Sequence, residues 1–370
     1  RAIEGDIAAL LLDLRETACP IIAVDMPSGV IADTGECQYV TPTAELTITF
    51  CWKKPAHVLM PARAACGEII VADIGISDDV LEPIGPFLLE NSPENGWGID
   101  IAEKALSAHK YDHGHVVVLG GRSMTGAASL AAVSALRVGA GLTTIVSYPD
   151  TAQIYRAYCP SLIVETLTEL ARFKEHIKDI RRNVVLIGVG AGLDHPAALK
   201  KAVFDSVQAD SQKICVIDAD ALTVFADDPK TFYKALGPHC ILTPHEGEFA
   251  RLFPDIDPAA SKIERAYAAA RRTKAVIVLK GADTVIASPD DRMVVNTTGT
   301  GWLASAGTGD VLAGMIAGLA ARRIFDPFAA ACAAVWLHGK VAENLGAGMI
   351  SADMPSSIPS VFVKYFNHNN

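Results

Sequence analysis

The chain has 370 residues, 50% hydrophobic and 20% charged, which describes a folded protein large enough for two domains and excludes wholesale disorder. Its formal net charge is -10 and no Lys/Arg tract runs along it, which argues against nucleic acid as a partner but leaves room for small anions held by local loops. No run reaches the roughly 18 uncharged apolar residues of a membrane span, so no membrane partner is expected.

The first residues, Arg1-Ala-Ile-Glu-Gly-Asp6, carry no charged-then-apolar signal peptide and read as the middle of a domain. Cysteines 19, 37, 51, 66, 159, 215, 240 and 332 form no CxxC pair and no Cys/His metal spacing. Lying mostly in apolar runs such as Lys213-Ile-Cys-Val-Ile217, they are expected to be reduced core residues, which fits the cytoplasm.

In chain order, residues 7–14 read as the end of a helix and Pro20-Ile-Ile-Ala-Val24 as a short buried parallel strand that delivers Asp25-Met-Pro-Ser-Gly29 at its carboxyl end. A strand Glu45-Leu-Thr-Ile-Thr-Phe50 leads to Lys53-Lys54-Pro55, and a third, residues 67–75, ends the segment. Residues 77–100, with Asp78, Asp79, Glu82, Pro83, Pro86, Pro93 and Gly96, read as an acidic, Pro/Gly-rich linker. Three strands enclose little core, so the amino-terminal piece is a fragment or leans on another surface.

From His115 the pattern becomes strand, glycine turn, helix. His115-Val-Val-Val-Leu119 runs into Gly120-Gly-Arg-Ser-Met-Thr-Gly-Ala127 and a small-residue helix over 128–139. Residues 141–146 form the next strand, Asn183-Val-Val-Leu-Ile187 opens into Gly188-Val-Gly-Ala-Gly-Leu-Asp194, and Ile214-Cys-Val-Ile217 into Asp218-Ala-Asp-Ala221. Cys240-Ile-Leu-Thr243 opens into Pro244-His-Glu-Gly-Glu248, and Ala275-Val-Ile-Val-Leu279 into Lys280-Gly-Ala-Asp-Thr284, followed by a hairpin-like pair at 284–287 and 293–295. Strands alternating with helices predict an α/β fold with a mostly parallel sheet covered on both faces. Polar, Gly-rich loops at several carboxyl ends predict one shared rim for a ligand. The last residues, Asn367-His-Asn-Asn370, are expected to fray.

Residues 307–310, Gly-Thr-Gly-Asp, precede the apolar run 311–320, so a flexible turn brings a carboxylate to a helix N-terminus. Converging backbone N–H groups and the helix dipole suit a phosphate there, with Asp310 beside it as proton acceptor. An ordinary N-cap explains that stretch alone equally well. The glycine loops match neither the G-x-G-x-x-G nor the P-loop pattern. His245 by itself reads better as a surface histidine and Lys280-Gly281 as a simple turn, and it is the placement of all of them after strands that favours a shared site.

Taken together, Gly120-Gly, Thr125-Gly-Ala-Ala, residues 188–193, Asp218-Ala-Asp-Ala-Leu222, Thr243-Pro-His-Glu-Gly-Glu-Phe-Ala-Arg-Leu252, Lys280-Gly and Ala306-Gly-Thr-Gly-Asp-Val-Leu312 resemble the ADP/ATP-dependent NAD(P)H-hydrate dehydratases, members of the ribokinase-like superfamily. The resemblance covers residue 101 to the end. Ahead of it, Ala23-Val-Asp-Met-Pro-Ser-Gly29, Thr49-Phe-Cys-Trp-Lys-Lys-Pro55 and Asp73-Ile-Gly-Ile76 resemble the second half of an NAD(P)H-hydrate epimerase domain, a partial Rossmann-like segment. The implied division is residues 1–78 epimerase-like, 79–100 linker and 101–370 dehydratase.

The resemblance implies a cytoplasmic homo-oligomer that restores NADH or NADPH from its hydrate (NADHX or NADPHX), using ADP or ATP with Mg²⁺, with ADP favoured. It implies Asp310 as general base, Ala127, Gly190, Gly192, His245 and Asp310 against the hydrate, and Lys280, Gly281, Ala282, Asp283, Thr284, Gly307, Thr308 and Gly309 around the nucleotide and its phosphates. In the epimerase-like segment it implies Asp25 on substrate, Lys54 as catalytic lysine and Ser28 on a potassium ion. That domain's first half is missing, so epimerase activity is not assigned to this chain. Two departures from the family pattern stand out, Glu246 in place of Pro and Thr300-Gly301-Trp302 in place of Asn-Pro-Gly. The alternatives are a ribokinase-like small-molecule kinase, which would leave the 218–222 and 244–248 loops unexplained, and a non-catalytic nucleotide-binding scaffold.

Overall fold

The structure, a computed structural model, describes residues 2–81, 83, 88–98, 101, 104–210 and 212–366. Glu82 and Pro86 of the expected linker and the expected frayed end at 367–370 lie outside the described residues. The chain divides into two compact units, Arg1–Glu90 with Asp257–Arg265, and Asn91–Ile256 with Ala266–Asn370.

In the first unit the helix Gly5–Arg15 precedes a three-stranded parallel sheet in the order β1 (Ile22–Val24), β2 (Leu46–Phe50), β3 (Glu68–Ala72). The register pairs Val24 with Ile48 and Ile48 with Ile70, so the strands run in step and Asp25 emerges at a carboxyl end. The first strand is parallel as expected but not buried: Ile22 and Val24 are 62% and 70% exposed, and only Ala23 between them is covered. It is an edge strand whose alternate side chains are exposed.

In the second unit, nine strands among the described residues form one sheet. They are β4 (His115–Leu119), β5 (Leu142–Ser147), β6 (Ile163–Thr166), β7 (Val184–Ile187), β8 (Ile214–Ile217), β9 (Cys240–Leu242), β10 (Val276–Leu279), β11 (Val285–Ala287) and β12 (Met293–Val295), in the spatial order 12-11-10-9-8-7-4-5-6. All neighbours are parallel except the last hairpin, β11 against β10 and β12. Val116, Val117 and Val118 are each fully buried. Successive strand residues face opposite sides, so both faces of the sheet are covered, as near-continuous Val/Ile runs require. β6 escapes the sequence pattern because only four half-exposed residues build it.

The helix Thr308–Ala321 is buried along nearly its whole length and lies against the helix Thr125–Arg137. A Cβ on Gly314 would stand 2.1 Å from the Ala131 carbonyl oxygen, and one on Gly318 2.5 Å from that of Ala135. These two glycines therefore set a helix contact inside the subunit. Residues 91–98 belong to this unit. Asn91 is buried and donates to the Asn296 side-chain oxygen and the Cys332 carbonyl, while Trp97 packs against Trp336 and Phe366. All eight cysteines are free thiols, with Cys66, Cys215, Cys240 and Cys332 buried, Cys19 exposed and the other three half-buried.

Candidate active site

Parallel register puts the carboxyl ends of β4, β7, β8, β9 and β10 on one side of the sheet. Ile187, Ile217 and Leu242 pair across three neighbouring strands, and the residues that follow, Gly188, Asp218 and Thr243, open the loops. Each loop is tied to its neighbour: Asp218 N–H donates to the Ile187 carbonyl, Thr243 N–H to that of Ile217, and Lys280 N–H to that of Pro244. The rim expected from the sequence is therefore a continuous line of loops.

The turn before Asp310 is built from both sides. Gly307 takes φ +88°, a left-handed conformation that favours glycine, and a Cβ there would press to 2.5 Å on Ser351 Oγ. The buried Thr308 hydroxyl is 2.8 Å from the Leu303 carbonyl and 2.9 Å from that of Ser305, which closes the loop onto the helix start. Asp310 lies in the first helical turn. Burial, and then the like charge of Asp218, push its carboxyl up to about 6, a rise that Lys280 opposes. A carboxylate so placed accepts a proton readily near neutrality.

Lys280 supplies the matching cation. Its Nζ donates to Asp218 Oδ1 at 2.9 Å and lies 4.0 Å from Glu248 Oε2. Burial would drive the ammonium toward neutrality, but Asp218 and Glu248 outweigh it and hold the lysine above its ordinary pKa. The ammonium is also 3.7 Å from where a Cβ on Gly309 would stand, so it faces the turn one residue before Asp310. A fixed positive charge, a glycine turn at a helix N-terminus and a proton acceptor thus share one place.

The glycine loops of β4 and β7 touch directly. A Cβ on Gly121 would fall 1.6 Å from the Gly190 carbonyl oxygen, and one on Gly190 would stand 3.0 Å from the Ala127 Cβ. Ala127 and Gly190, both expected against the hydrate, are thus brought together. Gly192 N–H donates to Asp220 Oδ2 at 2.8 Å, which joins the β7 loop to the β8 loop.

His245 caps the helix Glu246–Leu252. Its Nδ1 accepts from the Gly247 and Glu248 N–H groups, at 3.0 and 3.2 Å, while Glu248 reaches back to the His245 N–H at 2.8 Å. Half the imidazole remains exposed, and its Nε2 lies 3.5 Å from Glu248 Oε1. Glu246 occupies the first helical position, which suits the family's usual proline through its fixed φ and suits a carboxylate through the helix dipole. In the β10 loop, Gly281 and Ala282 are exposed while Asp283 and Thr284 are buried, and the Thr284 hydroxyl bonds the Gly281 backbone. Trp302 sits on a short turn, half exposed, five residues before Gly307.

In the amino-terminal unit, Lys54 Nζ donates to Asp25 Oδ1 at 2.5 Å and to Thr49 Oγ1 at 2.8 Å, so the two expected residues do meet. The Lys54 hydrogen bond holds the Asp25 carboxyl below its ordinary pKa. Ser28 is exposed three residues on.

A cavity of about 200 Å³ lies at the amino ends of β4, β5 and β6, lined by His115, Thr144, Glu165 and Arg182 among others. Two ion pairs line it, Arg182 with Glu165 and Arg181 with Asp179. It holds none of the expected catalytic groups. Among the described residues no three His, Cys, Asp or Glu converge to hold a metal ion. Sequence reasoning passed over Asp218, Asp220 and Glu248 as site residues. Part of the signal was available, since Asp218 directly follows a strand as Lys280 does, whereas Asp220 and Glu248 lie further on, in the helices after their strands.

Residues 116–360 match the family described as NAD(P)H-hydrate dehydratase, and residues 1–56 match the YjeF-related protein N-terminus. The bifunctional NAD(P)H-hydrate repair enzyme of Moorella thermoacetica is 34% identical over 97% of this chain and 70% of its own length.

The chain belongs to the NAD(P)H-hydrate dehydratase family.

The Escherichia coli bifunctional repair enzyme is 32% identical over 98% of the chain and 69% of its own length. A solved structure of the ADP/ATP-dependent NAD(P)H-hydrate dehydratase of Bacillus subtilis, co-crystallised with ATP and Mg²⁺, superposes with a TM-score of 0.60 at 29% identity, over 71% of this chain and 93% of that one. The fold is ribokinase-like, as the resemblance led us to expect: a solved ribokinase-like superfamily protein of Enterococcus faecalis superposes with a TM-score of 0.65 at 26% identity, over 76% of this chain and 97% of that one. Among the described residues, no helix is long and apolar enough to cross a membrane.

Proposed function

We propose that the rim of the second unit carries out the family's reaction, the dehydration of hydrated NADH or NADPH, by phosphorylating the ring hydroxyl from ADP or ATP and then eliminating phosphate. Hydroxide is a poor leaving group and phosphate a good one, so the nucleotide turns a slow elimination into a fast one. Asp310 takes the proton of the ring hydroxyl as its oxygen attacks the terminal phosphoryl group. The Lys280 ammonium and the N–H groups of 307–309 neutralise the charge that develops on that phosphoryl group. Phosphate then departs with the C–O electrons, the ring nitrogen lone pair pushes, and the neighbouring carbon loses its proton to restore the double bond.

The observation that carries this reading is the Lys280 ammonium, half-buried beside the buried Asp218 and 3.7 Å from the Cβ position of Gly309, one residue before Asp310. The binding surfaces follow from it. Ala127, Gly190, Gly192 and His245 hold the hydrate, and residues 280–284 with 307–309 hold the nucleotide. Mg²⁺, when bound, would screen the phosphate charge, with Asp218 and Glu248 as the nearby carboxylates that could help hold it. In the first unit, Asp25 and Lys54 are the substrate-facing pair of an epimerase-like segment, with Ser28 its potassium ligand.

The kinase and scaffold alternatives are not favoured. The family match covers the whole motif set, and a scaffold has no use for a half-buried lysine held charged beside a carboxylate poised near neutrality. The test is Asp310→Asn, assayed with NADHX and ADP. The variant should still bind ADP in calorimetry and lose about 10²–10⁴ of turnover. Undiminished NADHX consumption would remove Asp310 from the role of base.

A further inference from the structure

The helix Pro327–Leu345 carries a histidine that the reaction so far leaves unused. His338 is buried, and its Nε2 lies 2.9 Å from the Thr308 carbonyl oxygen. A carbonyl only accepts, so Nε2 carries the proton and donates. The next residue, Gly339, lets the helix come this close: a Cβ there would stand 2.1 Å from Thr298 Oγ1.

The bonded carbonyl belongs to the peptide that links Thr308 to Gly309. That unit is planar and trans, so its C=O and the Gly309 N–H point in opposite directions. A donor that fixes the carbonyl also fixes where the N–H is aimed, and polarises it as a donor. Gly309 is the second helical residue, and its N–H is among those a helix start leaves unpaired.

We propose that His338 is a positioning residue for the phosphoryl-binding turn, holding the Thr308 carbonyl so that the Gly309 N–H faces the transferred group. The role rests on the assignment of residues 307–309 as that turn. The Thr308 hydroxyl, bonded to the Leu303 and Ser305 carbonyls, fixes the same residue from its side chain, so the peptide is clamped twice. Burial, with the nearby Lys280 charge adding to it, pushes the imidazole down to about 4, so it stays neutral through the working range and the clamp does not loosen with pH. The residue sits in the buried, Ala-rich first two thirds of the helix, and the Thr308 carbonyl gives its polar ring a partner there.

The experiment compares His338→Gln, His338→Asn and His338→Leu in turnover with NADHX and ADP, beside ADP calorimetry and thermal midpoints. The Gln amide reaches as far as Nε2 and donates; the Asn amide is too short and Leu has no donor. His338→Gln should turn over close to the parent, while the other two lose roughly tenfold in kcat, the scale of one hydrogen bond's ordering, with ADP affinity little changed. Parent-like kcat in His338→Leu or His338→Asn, or a loss in His338→Gln as deep as theirs, overturns the role. Should the variants fail to fold, ¹⁵N shifts of the parent imidazole decide: a protonated Nε2 is required, and an unprotonated one contradicts the clamp. Asp310→Asn run alongside keeps two failures apart. An active Asp310→Asn undermines the catalytic assignment itself, whereas a dead Asp310→Asn beside a fully active His338→Leu removes only the positioning role.

Discussion

Each unit ends a parallel strand with an aspartate bonded to a lysine, and the two pairs differ mainly in their surroundings. Asp25 and Lys54 meet at 2.5 Å with about a third of each side chain exposed, and the bond simply lowers the Asp25 pKa. Asp218 and Lys280 meet at 2.9 Å with 3% and 19% exposed, and Glu248 and Asp310 add their charges to the same buried space. Water screens the first pair. In the second, charge is retained at low dielectric, where its field is strong. The same two residue types therefore make a water-screened ion pair in one unit and a buried electrostatic cluster in the other.

Removing each lysine should expose that contrast most sharply. Lys280→Met leaves Asp218 and Glu248 buried without their cation, which should cost about 3 kcal/mol in denaturant unfolding and abolish turnover. Lys54→Met should cost at most about 1 kcal/mol, as for other solvent-screened pairs. Equal losses would mean that burial is not what separates them.

Asp310→Asn should act in the opposite direction on stability. The folded carboxyl titrates at about 6 against an ordinary 3.8. A raised value favours the fold while the group stays protonated, and that advantage fades as pH climbs through 6. At neutral pH the asparagine variant should therefore be more stable than the parent by on the order of 2–3 kcal/mol, and the gap should close as pH falls to 3.8. The same titration should appear in kinetics as an acid limb of kcat/KM near 6, where the base becomes protonated. No equivalent limb should arise from Asp25, whose pKa is lowered.

Much of the second unit could be read directly from its residues. Runs such as residues 116–119 and 184–187 are long enough and apolar enough to declare buried parallel strands, and the glycines that follow them declare the turns. Asp310 could be located because its loop and its helix are contiguous. Lys280 and Asp218 stand 62 residues apart, and only the pairing of β8, β9 and β10 brings them within a hydrogen bond. Asn91 and Trp97 were hidden in a stretch whose prolines and glycines read as linker, yet their side chains fill a polar slot and an aromatic cluster in the core of the second unit. His338 gave no signal, because its partner, the Thr308 carbonyl, lies 30 residues earlier in the chain. What sequence pattern cannot carry is the long-range meeting of single side chains.

The most direct measurement of the central claim is recovery of NADH absorbance from NADHX by the purified chain, with ADP or ATP supplied and then withheld. Recovery that requires the nucleotide, with phosphate released in step, is the predicted result. Nucleotide consumed with no NADH regained, or NADH regained equally well without nucleotide, would contradict it.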